Sequence, residues 1–102
     1  MKLTPATLDI SAEGVIKVSG DMTFQTVSAL RQNLLGALFS VAGDRCLDLA
    51  AVGRVDSSAL SLWLVCRREA SRRGVKLTLH NPPQDLCSIA ELVGLEGVSA
   101  GR

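Results

Sequence analysis

The chain has 102 residues and a formal net charge of +1, and this length fits one domain with one hydrophobic core. Apolar residues make up 47% of the sequence and charged residues 21%, a balance typical of globular rather than disordered chains. The near-neutral charge and the scarcity of aromatic residues argue against a dedicated nucleic-acid binder. Without a long apolar run or an apolar leader at the N-terminus, we expect neither a membrane span nor a secretory signal.

The side chains that usually carry catalysis or hold metals are few and scattered. Cys46, Cys66 and Cys87 are odd in number and form no Cys-x-x-Cys motif, which indicates reduced thiols in a cytoplasmic protein. His80, the single histidine, has no neighbouring triad partner and is interpreted as a surface residue. No nucleotide-binding glycine motif occurs. We therefore expect a non-enzymatic protein without a metal ion or another cofactor.

The first half of the chain contains two strand patterns followed by one helix pattern. Apolar and polar residues alternate over about 6–11 and again over 15–18, which predicts an antiparallel hairpin. Leucines then recur at three- and four-residue steps, which predicts a helix over 24–39. Thr23 or Thr26 could cap the start of this helix.

The middle of the chain predicts a buried strand, a loop and a second helix. Residues 45–50 form a short and mostly apolar run, typical of a strand covered on both faces. Residues 51–55 are expected to form a loop that leads into a helix over 58–73. Gly74 follows, in the position where a left-handed residue commonly ends a helix.

The remainder predicts a last strand and a last helix. Alternating apolar residues from Val75 to Leu79 favour a strand, and Asn81 is a plausible cap for a helix over 84–93. Residues 96–102 are interpreted as a tail of a single domain that spans 1–102. The element order ββαβαβα predicts an α/β fold with a four-stranded mixed sheet and three main helices, because helical crossovers join parallel strands.

The start of the second helix is the most informative segment. The predicted strand and loop deliver Asp56, Ser57 and Ser58 to the helix N-terminus, where unbonded backbone N–H groups and the helix dipole favour negative charge. Ser57 is expected to cap this helix. A hydroxyl at such a position is well placed to receive a phosphate group.

A helical wheel divides the second helix into two apolar groups. The predicted core face carries Ala59, Leu62, Trp63, Cys66 and Ala70. Leu60 and Leu64 fall outside that face, on a stripe with polar and basic residues that include Ser57, Ser61, Arg67 and Arg68. An apolar centre with a charged rim is typical of a protein-binding surface. Alternatively, Leu60 and Leu64 pack under a neighbouring helix.

These segments together resemble the STAS domain, the fold of bacterial anti-anti-sigma factors. The resemblance rests on residues 18–22, a glycine followed by a helix-opening segment, on the strand Leu47-Asp48-Leu49, on the element at 55–60 and on the turn at 73–75. Ala59 stands where the family usually has glycine. It implies that Ser57 matches the phosphoacceptor of the anti-anti-sigma factors, with Ser58 as the second choice. It also implies that Asp48 lies near and supports the loop that carries Ser57.

Within the family, the chain is most similar to the STAS subunit of the Mla phospholipid ABC transporters, the MlaB type. The similarity lies in the basic helix end at 67–73, the Asn81-Pro82-Pro83 segment and the closing residues 92–95. It implies a non-catalytic cytoplasmic accessory subunit that binds the transporter ATPase, supports outer-membrane lipid asymmetry and is peripheral to the inner membrane through that complex. The alternative implied by the family is a phosphorylation-switched anti-anti-sigma factor that binds an anti-sigma kinase.

The densest positive run in the sequence lies around the end of the second helix, at Arg67, Arg68, Arg72, Arg73 and Lys76. Cations near a helix C-terminus interact favourably with the helix dipole, so a solvated face explains the run without any ligand. A contact with an acidic partner or with anionic lipid headgroups is the other interpretation.

Overall fold

The computed structural model describes residues 6–11, 14–40 and 43–94, so the predicted tail at 96–102 lies outside the described residues. Four strands and three helices follow one another in the predicted order: β1 (Thr7–Ile10), β2 (Val15–Met22), α1 (Phe24–Phe39), β3 (Arg45–Val55), α2 (Ser57–Arg73), β4 (Leu77–His80) and α3 (Gln84–Leu92). None of these helices is long and apolar enough to cross a membrane.

The four strands form one mixed sheet in the order β1-β2-β3-β4. β1 pairs antiparallel with β2, whereas β2, β3 and β4 run parallel. Parallel neighbours need a crossover connection, and α1 and α2 provide it. This arrangement confirms the α/β fold class and the element order that the sequence predicts.

The core lies between the helices and one face of the sheet. Alternate sheet residues point into it and are almost completely buried, namely Ile16, Val18, Leu47, Leu49 and Leu79. Leu30, Leu34 and Leu38 of α1 and Leu86 and Ala90 of α3 join the same cluster. Because all three helices contribute to this one cluster, they form a single layer on one face of the sheet.

β3 is longer than the sequence indicated. Residues 51–55, expected to form a loop, continue the strand and pair with β2, with Ala51 opposite Ser19 and Val55 opposite Met22. The register shifts twice along this pairing, which is typical of β-bulges. Bulges interrupt the alternation of side chains between the two faces, so this part of the strand has no period-two pattern in the sequence.

The helix ends explain where the chain turns. Thr23 is the N-cap residue of α1, and its backbone N–H donates to the hydroxyl oxygen of Thr26 at 2.9 Å. Gly74 ends α2 in the left-handed conformation, with φ of 67°, as predicted. Asn81 does not cap α3, because Pro83 occupies the cap position. Asn81 instead adopts a positive φ of 55° in the β4–α3 turn.

Candidate functional site

The starts of α1 and α2 lie side by side at one edge of the sheet. β2 and β3 are parallel neighbours, and Met22 near the end of β2 pairs with Val55 at the end of β3. The backbone N–H of Asp56 also donates to the carbonyl oxygen of Met22 at 3.4 Å. The edge at the carboxyl ends of parallel strands is where α/β proteins commonly place their binding sites.

The carboxylate of Asp56 joins the two helix starts. Its Oδ1 accepts the backbone N–H of Ser58 at 2.8 Å, and its Oδ2 accepts the backbone N–H of Phe24 at 2.9 Å. Each helix start exposes unbonded N–H groups and carries a partial positive charge. One carboxylate therefore satisfies a donor on each helix and fixes the relative position of Phe24 and Ser58.

Asp56, rather than Ser57, is the N-cap of α2, so the expectation that Ser57 caps this helix is wrong. The physical reason is that a residue with extended backbone before the first helical turn can reach the N–H two positions on, and Asp56 has that backbone conformation. Ser57 is the first helical residue and is exposed, whereas Ser58 is half-buried. Ser57 is therefore accessible to solvent at the helix start.

Asp21 supports the end of β3 that leads to this site. Its side chain is only 7% exposed, and its Oδ1 accepts the backbone N–H of Arg54 at 2.9 Å. Its carbonyl oxygen accepts the Thr26 hydroxyl at 2.7 Å. A Cβ atom added to Gly53 would lie 3.0 Å from Asp21 Oδ1, so glycine allows this close packing.

Asp48 does not take the predicted place beside Ser57. Its Oδ1 accepts the backbone N–H of Ala50 at 3.0 Å and the side-chain amide of Asn81 at 3.1 Å. These hydrogen bonds, the one from Asn81 foremost, lower the pKa of the Asp48 carboxyl below its ordinary value. Asp48 therefore holds the β4–α3 turn, because β4 ends opposite it, whereas Asp21 and Asp56 hold the segment that carries Ser57.

Leu60 does not belong to an exposed stripe. It is 5% exposed and lies in the core, and Leu64 is half-buried against the same core. The other predicted core residues of α2 are buried as expected, namely Ala59, Leu62, Trp63, Cys66 and Ala70. α2 lies between α1 and α3, so it is covered on its flanks as well as underneath. The burial of both leucines agrees with the alternative interpretation, in which they pack inside the helical layer.

The apolar residue that does lie exposed at this site is Phe24. Its side chain is 79% exposed at the first position of α1, beside the Asp56 carboxylate that binds its N–H. The exposure of Phe24 was not predicted, because a helical wheel places this residue close to Leu38, at the edge of the apolar face of α1. Of the predicted contact residues, Ser61, Arg67 and Arg68 are exposed on α2, and the Ser61 hydroxyl donates to the carbonyl oxygen of Ser57 at 3.2 Å.

The side chains at the site limit the chemistry that it can support. The described ranges contain no cluster of metal-ligating side chains. Burial raises the pKa of the Cys66 thiol to about 12, so this thiol stays protonated at neutral pH and is a poor nucleophile. An exposed aromatic ring, an exposed hydroxyl and a helix N-terminus remain, and they can contact a protein surface or carry a phosphate group.

Comparisons with known proteins agree with this architecture. The family model described as "Mlab, STAS domain" matches residues 7–100. The structure of the anti-sigma factor antagonist SpoIIAA in its unphosphorylated form superposes with a TM-score of 0.69 at 20% identity, covering 91% of this chain and 84% of that chain. The phosphorylated form of SpoIIAA, described as a Bacillus cell fate determinant, gives a TM-score of 0.67 at 20% identity, covering 91% and 86%. A comparison with curated protein sequences finds no match.

Proposed function

The chain belongs to the STAS domain family, and from that membership we propose that it is a non-catalytic accessory subunit that binds the ATPase of a phospholipid ABC transporter of the Mla type. In this proposal the protein is cytoplasmic and reaches the inner membrane only through the transporter complex. The Mlab description of the matching family model supports the transporter assignment.

The observation that carries the proposal is the exposure of Phe24 beside Ser57. Phe24 is 79% exposed although its backbone is fixed by Asp56, so the ring is presented to solvent on a rigid support. Exposed aromatic side chains are costly in water and are enriched at the centres of protein interfaces. Asp56 binds the backbone of Phe24, and together with Ser57 and Ser58, which follow it in the chain, it supplies the polar groups of the contact surface.

In the transporter assignment Ser57 makes a direct contact with the ATPase. Ser57 is exposed in the first turn of α2, and the Asp56 carboxylate already provides the cap. The hydroxyl is thus available to a partner without loss of helix stability. A negative charge at Ser57 would be desolvated when a partner covers it, and an unpaired buried charge is costly.

A second candidate function is that of a phosphorylation-switched antagonist that binds an anti-sigma kinase. The observation that favours it is again the exposed Ser57, which lies at a helix N-terminus suited to a phosphate. The similar fold of SpoIIAA, which is described in unphosphorylated and phosphorylated forms, is consistent with this alternative. In this case Ser57 is the phosphoacceptor, and its modification releases the partner.

Affinity purification from the native host tests the proposal and separates the two candidates. The wild-type protein should recover an ABC ATPase together with its permease. Recovery of a kinase-like anti-sigma factor without an ATPase, or a phosphopeptide that contains modified Ser57, would replace the transporter assignment with the second candidate.

Two charge variants locate the contact in the same experiment. Ser57→Glu should lose the partner, whereas Ser88→Glu places the same charge on an exposed serine of α3, outside the proposed surface, and should retain it. Both variants should show the wild-type melting curve in circular dichroism. Equal recovery by both variants would show that the helix start is not the contact surface.

A further inference from the structure

The helical layer carries a pronounced charge asymmetry. α1 and α2 together hold a single acidic residue, Glu69, whereas α3 holds two acidic residues, Asp85 and Glu91, and no basic one. The cations of α1 and α2 are Arg31, Arg67, Arg68, Arg72 and Arg73. The net charge of the whole chain is close to zero, so this excess of positive charge is local to α1 and α2.

Most of this positive charge has no carboxylate partner among residues 6–11, 14–40 and 43–94, which the structure describes. Glu69 binds Arg73 at 2.7 Å and Arg72 at 3.3 Å, and the Arg73 guanidinium also lies 5.0 Å from the centre of the Phe39 ring. The side chain of Arg72 is nevertheless 71% exposed. Arg67 and Arg68 are exposed, and neither forms an ion pair with any carboxylate in the described part of the chain.

The outward-facing cations continue the proposed contact site along α2. Ser57, Ser61, Arg68 and Arg72 are separated by multiples of about one helical turn and are all exposed, so they lie along one ridge of the helix. The first half of this ridge is small and polar, and the second half is basic. A partner that contacts Phe24 and Ser57 and extends along α2 would reach Arg68 and Arg72.

We propose that an acidic segment of the partner protein lies along this ridge and pairs with Arg68 and Arg72. The inference rests on the proposed function, because it assigns a chemistry to the partner of that same surface. The cations are all arginines, whose planar guanidinium binds a carboxylate through two parallel hydrogen bonds. Aspartate and glutamate side chains of an extended segment supply the complementary charge.

A membrane surface is a less suitable partner for this ridge than an acidic peptide segment. The exposed large apolar side chains of the described residues are Ile10, Phe24, Leu92 and Val93, and none of them lies in the C-terminal half of α1 or α2 that carries most of the cations. A surface-bound helix needs such side chains to insert between lipids. A bilayer that met α2 would also approach the carboxylates of neighbouring α3, whereas a narrow peptide segment avoids them.

Titration of the isotope-labelled protein with a short polyglutamate peptide, followed by NMR, tests the inference without the native partner. The amide signals of α2 between Leu64 and Arg72 should shift, and the affinity should fall as salt is raised. The variant with both Arg68→Glu and Arg72→Glu should bind about tenfold more weakly. Lys17→Glu, a charge reversal on the uncovered face of the sheet, should bind like the wild type.

Other outcomes would overturn the inference and leave the proposed function standing. Unchanged peptide affinity in the double variant, or peptide-induced shifts centred on the sheet, would exclude an acidic segment on this ridge. Binding to phosphatidylglycerol vesicles that requires Arg68 and Arg72, without peptide binding, would assign the ridge to lipid instead. Phe24→Ala should not alter the affinity for the peptide. The peptide titration therefore tests the basic ridge independently of the proposed contact at Phe24. If the double glutamate variant does not fold, the variant with both Arg68→Gln and Arg72→Gln is used in its place.

Discussion

The side chain of Asp56 accepts the backbone N–H of Phe24 at 2.9 Å, although the two residues are 32 positions apart in the chain. The same carboxylate caps α2 through Ser58. An exposed aromatic ring on one helix and an exposed hydroxyl on the next are thus held by one acidic side chain. We regard this bridge as the structural basis of the proposed contact surface, because it fixes Phe24 relative to Ser57.

Removal of the Asp56 carboxylate should destabilise the fold at both helix starts. Asp56→Ala loses the cap of α2 and the acceptor for Phe24, which should lower the free energy of unfolding by about 2–4 kcal/mol. Asp56→Asn keeps one acceptor oxygen and should lose roughly half as much. Asp85→Ala, in the first turn of α3, is the control and should cost less than about 1 kcal/mol. Equal losses for Asp56→Ala and Asp85→Ala in urea titrations would argue against the bridge.

Gly53 and Asp21 should be energetically coupled. The added Cβ of Gly53→Ala would lie 3.0 Å from Asp21 Oδ1 and displace a carboxylate that binds the Arg54 N–H, which should cost about 1 kcal/mol. In an Asp21→Ala background the same change should cost nothing, because the displaced group is gone. A double-mutant cycle from urea denaturation measures this coupling. Strictly additive effects would mean that the close approach carries no strain.

The contribution of Asp48 to stability should depend on pH. Its folded pKa is lowered, chiefly by the Asn81 amide and then by the Ala50 N–H, so the ionised form stabilises the fold. This stabilisation is present above the ordinary carboxyl pKa of about 4 and is lost as pH falls through the lower folded pKa. The destabilisation caused by Asp48→Asn should therefore be larger at about pH 6 than at about pH 3.

Unfolding of the wild type and of Asp48→Asn at both pH values measures this difference. Asn81→Gly removes the main cause of the shift, and glycine tolerates the positive φ at that position. In the Asn81→Gly background the effect of Asp48→Asn should vary less with pH. A destabilisation that is the same at both pH values in the wild-type background would refute the role of the Asn81 contact.

Leu60 should behave as a core residue rather than as a contact residue. Leu60→Ala should lower the free energy of unfolding by about 2–5 kcal/mol, the usual range for a buried leucine. Leu64→Ala should cost less, because Leu64 is only half-buried, and Leu92→Ala should cost almost nothing at 86% exposure. Thermal melts of the three variants give this ranking. If Leu60→Ala proved as stable as Leu92→Ala, Leu60 would not be a core residue, and its assignment to the partner surface would be restored.

The periodicity of apolar residues predicts the helices and most strands of this fold, but it does not predict how much of each helix surface is buried. The spacing of Leu30, Leu34 and Leu38 predicted α1 because these residues contact the sheet directly, and a single buried face repeats with the helix. The same reasoning failed for Leu60, because α2 is the central helix of its layer and is covered on more than one side. The continuation of β3 past Ala50 was missed because bulges remove its alternation.

The residues that assemble the site were harder to predict for a different reason. Asp56 and Ser57 follow a strand and precede a helix, so local sequence located them. The hydrogen bond between Asp56 and Phe24 connects the starts of α2 and α1. These residues are distant in the sequence, so no local sequence pattern predicts the bond. Asp21 lies in a strand, where a carboxylate suggests an exposed position, yet the nearby backbone N–H of Arg54 makes its burial favourable. Asp48 was placed at the wrong loop because its partner, Asn81, is also distant in sequence.

Phe24→Ala provides the most direct test of the central claim, that Phe24 and Ser57 form one partner-binding surface. Calorimetric titration of the purified partner protein with this variant should show an affinity lower by roughly tenfold or more. Leu92→Ala, which shortens a similarly exposed apolar side chain on α3, should remain within about twofold of the wild type, since exposed residues outside an interface contribute little. Both variants should melt like the wild type. Wild-type affinity in Phe24→Ala would contradict the claim and would move the contact surface away from the start of α1.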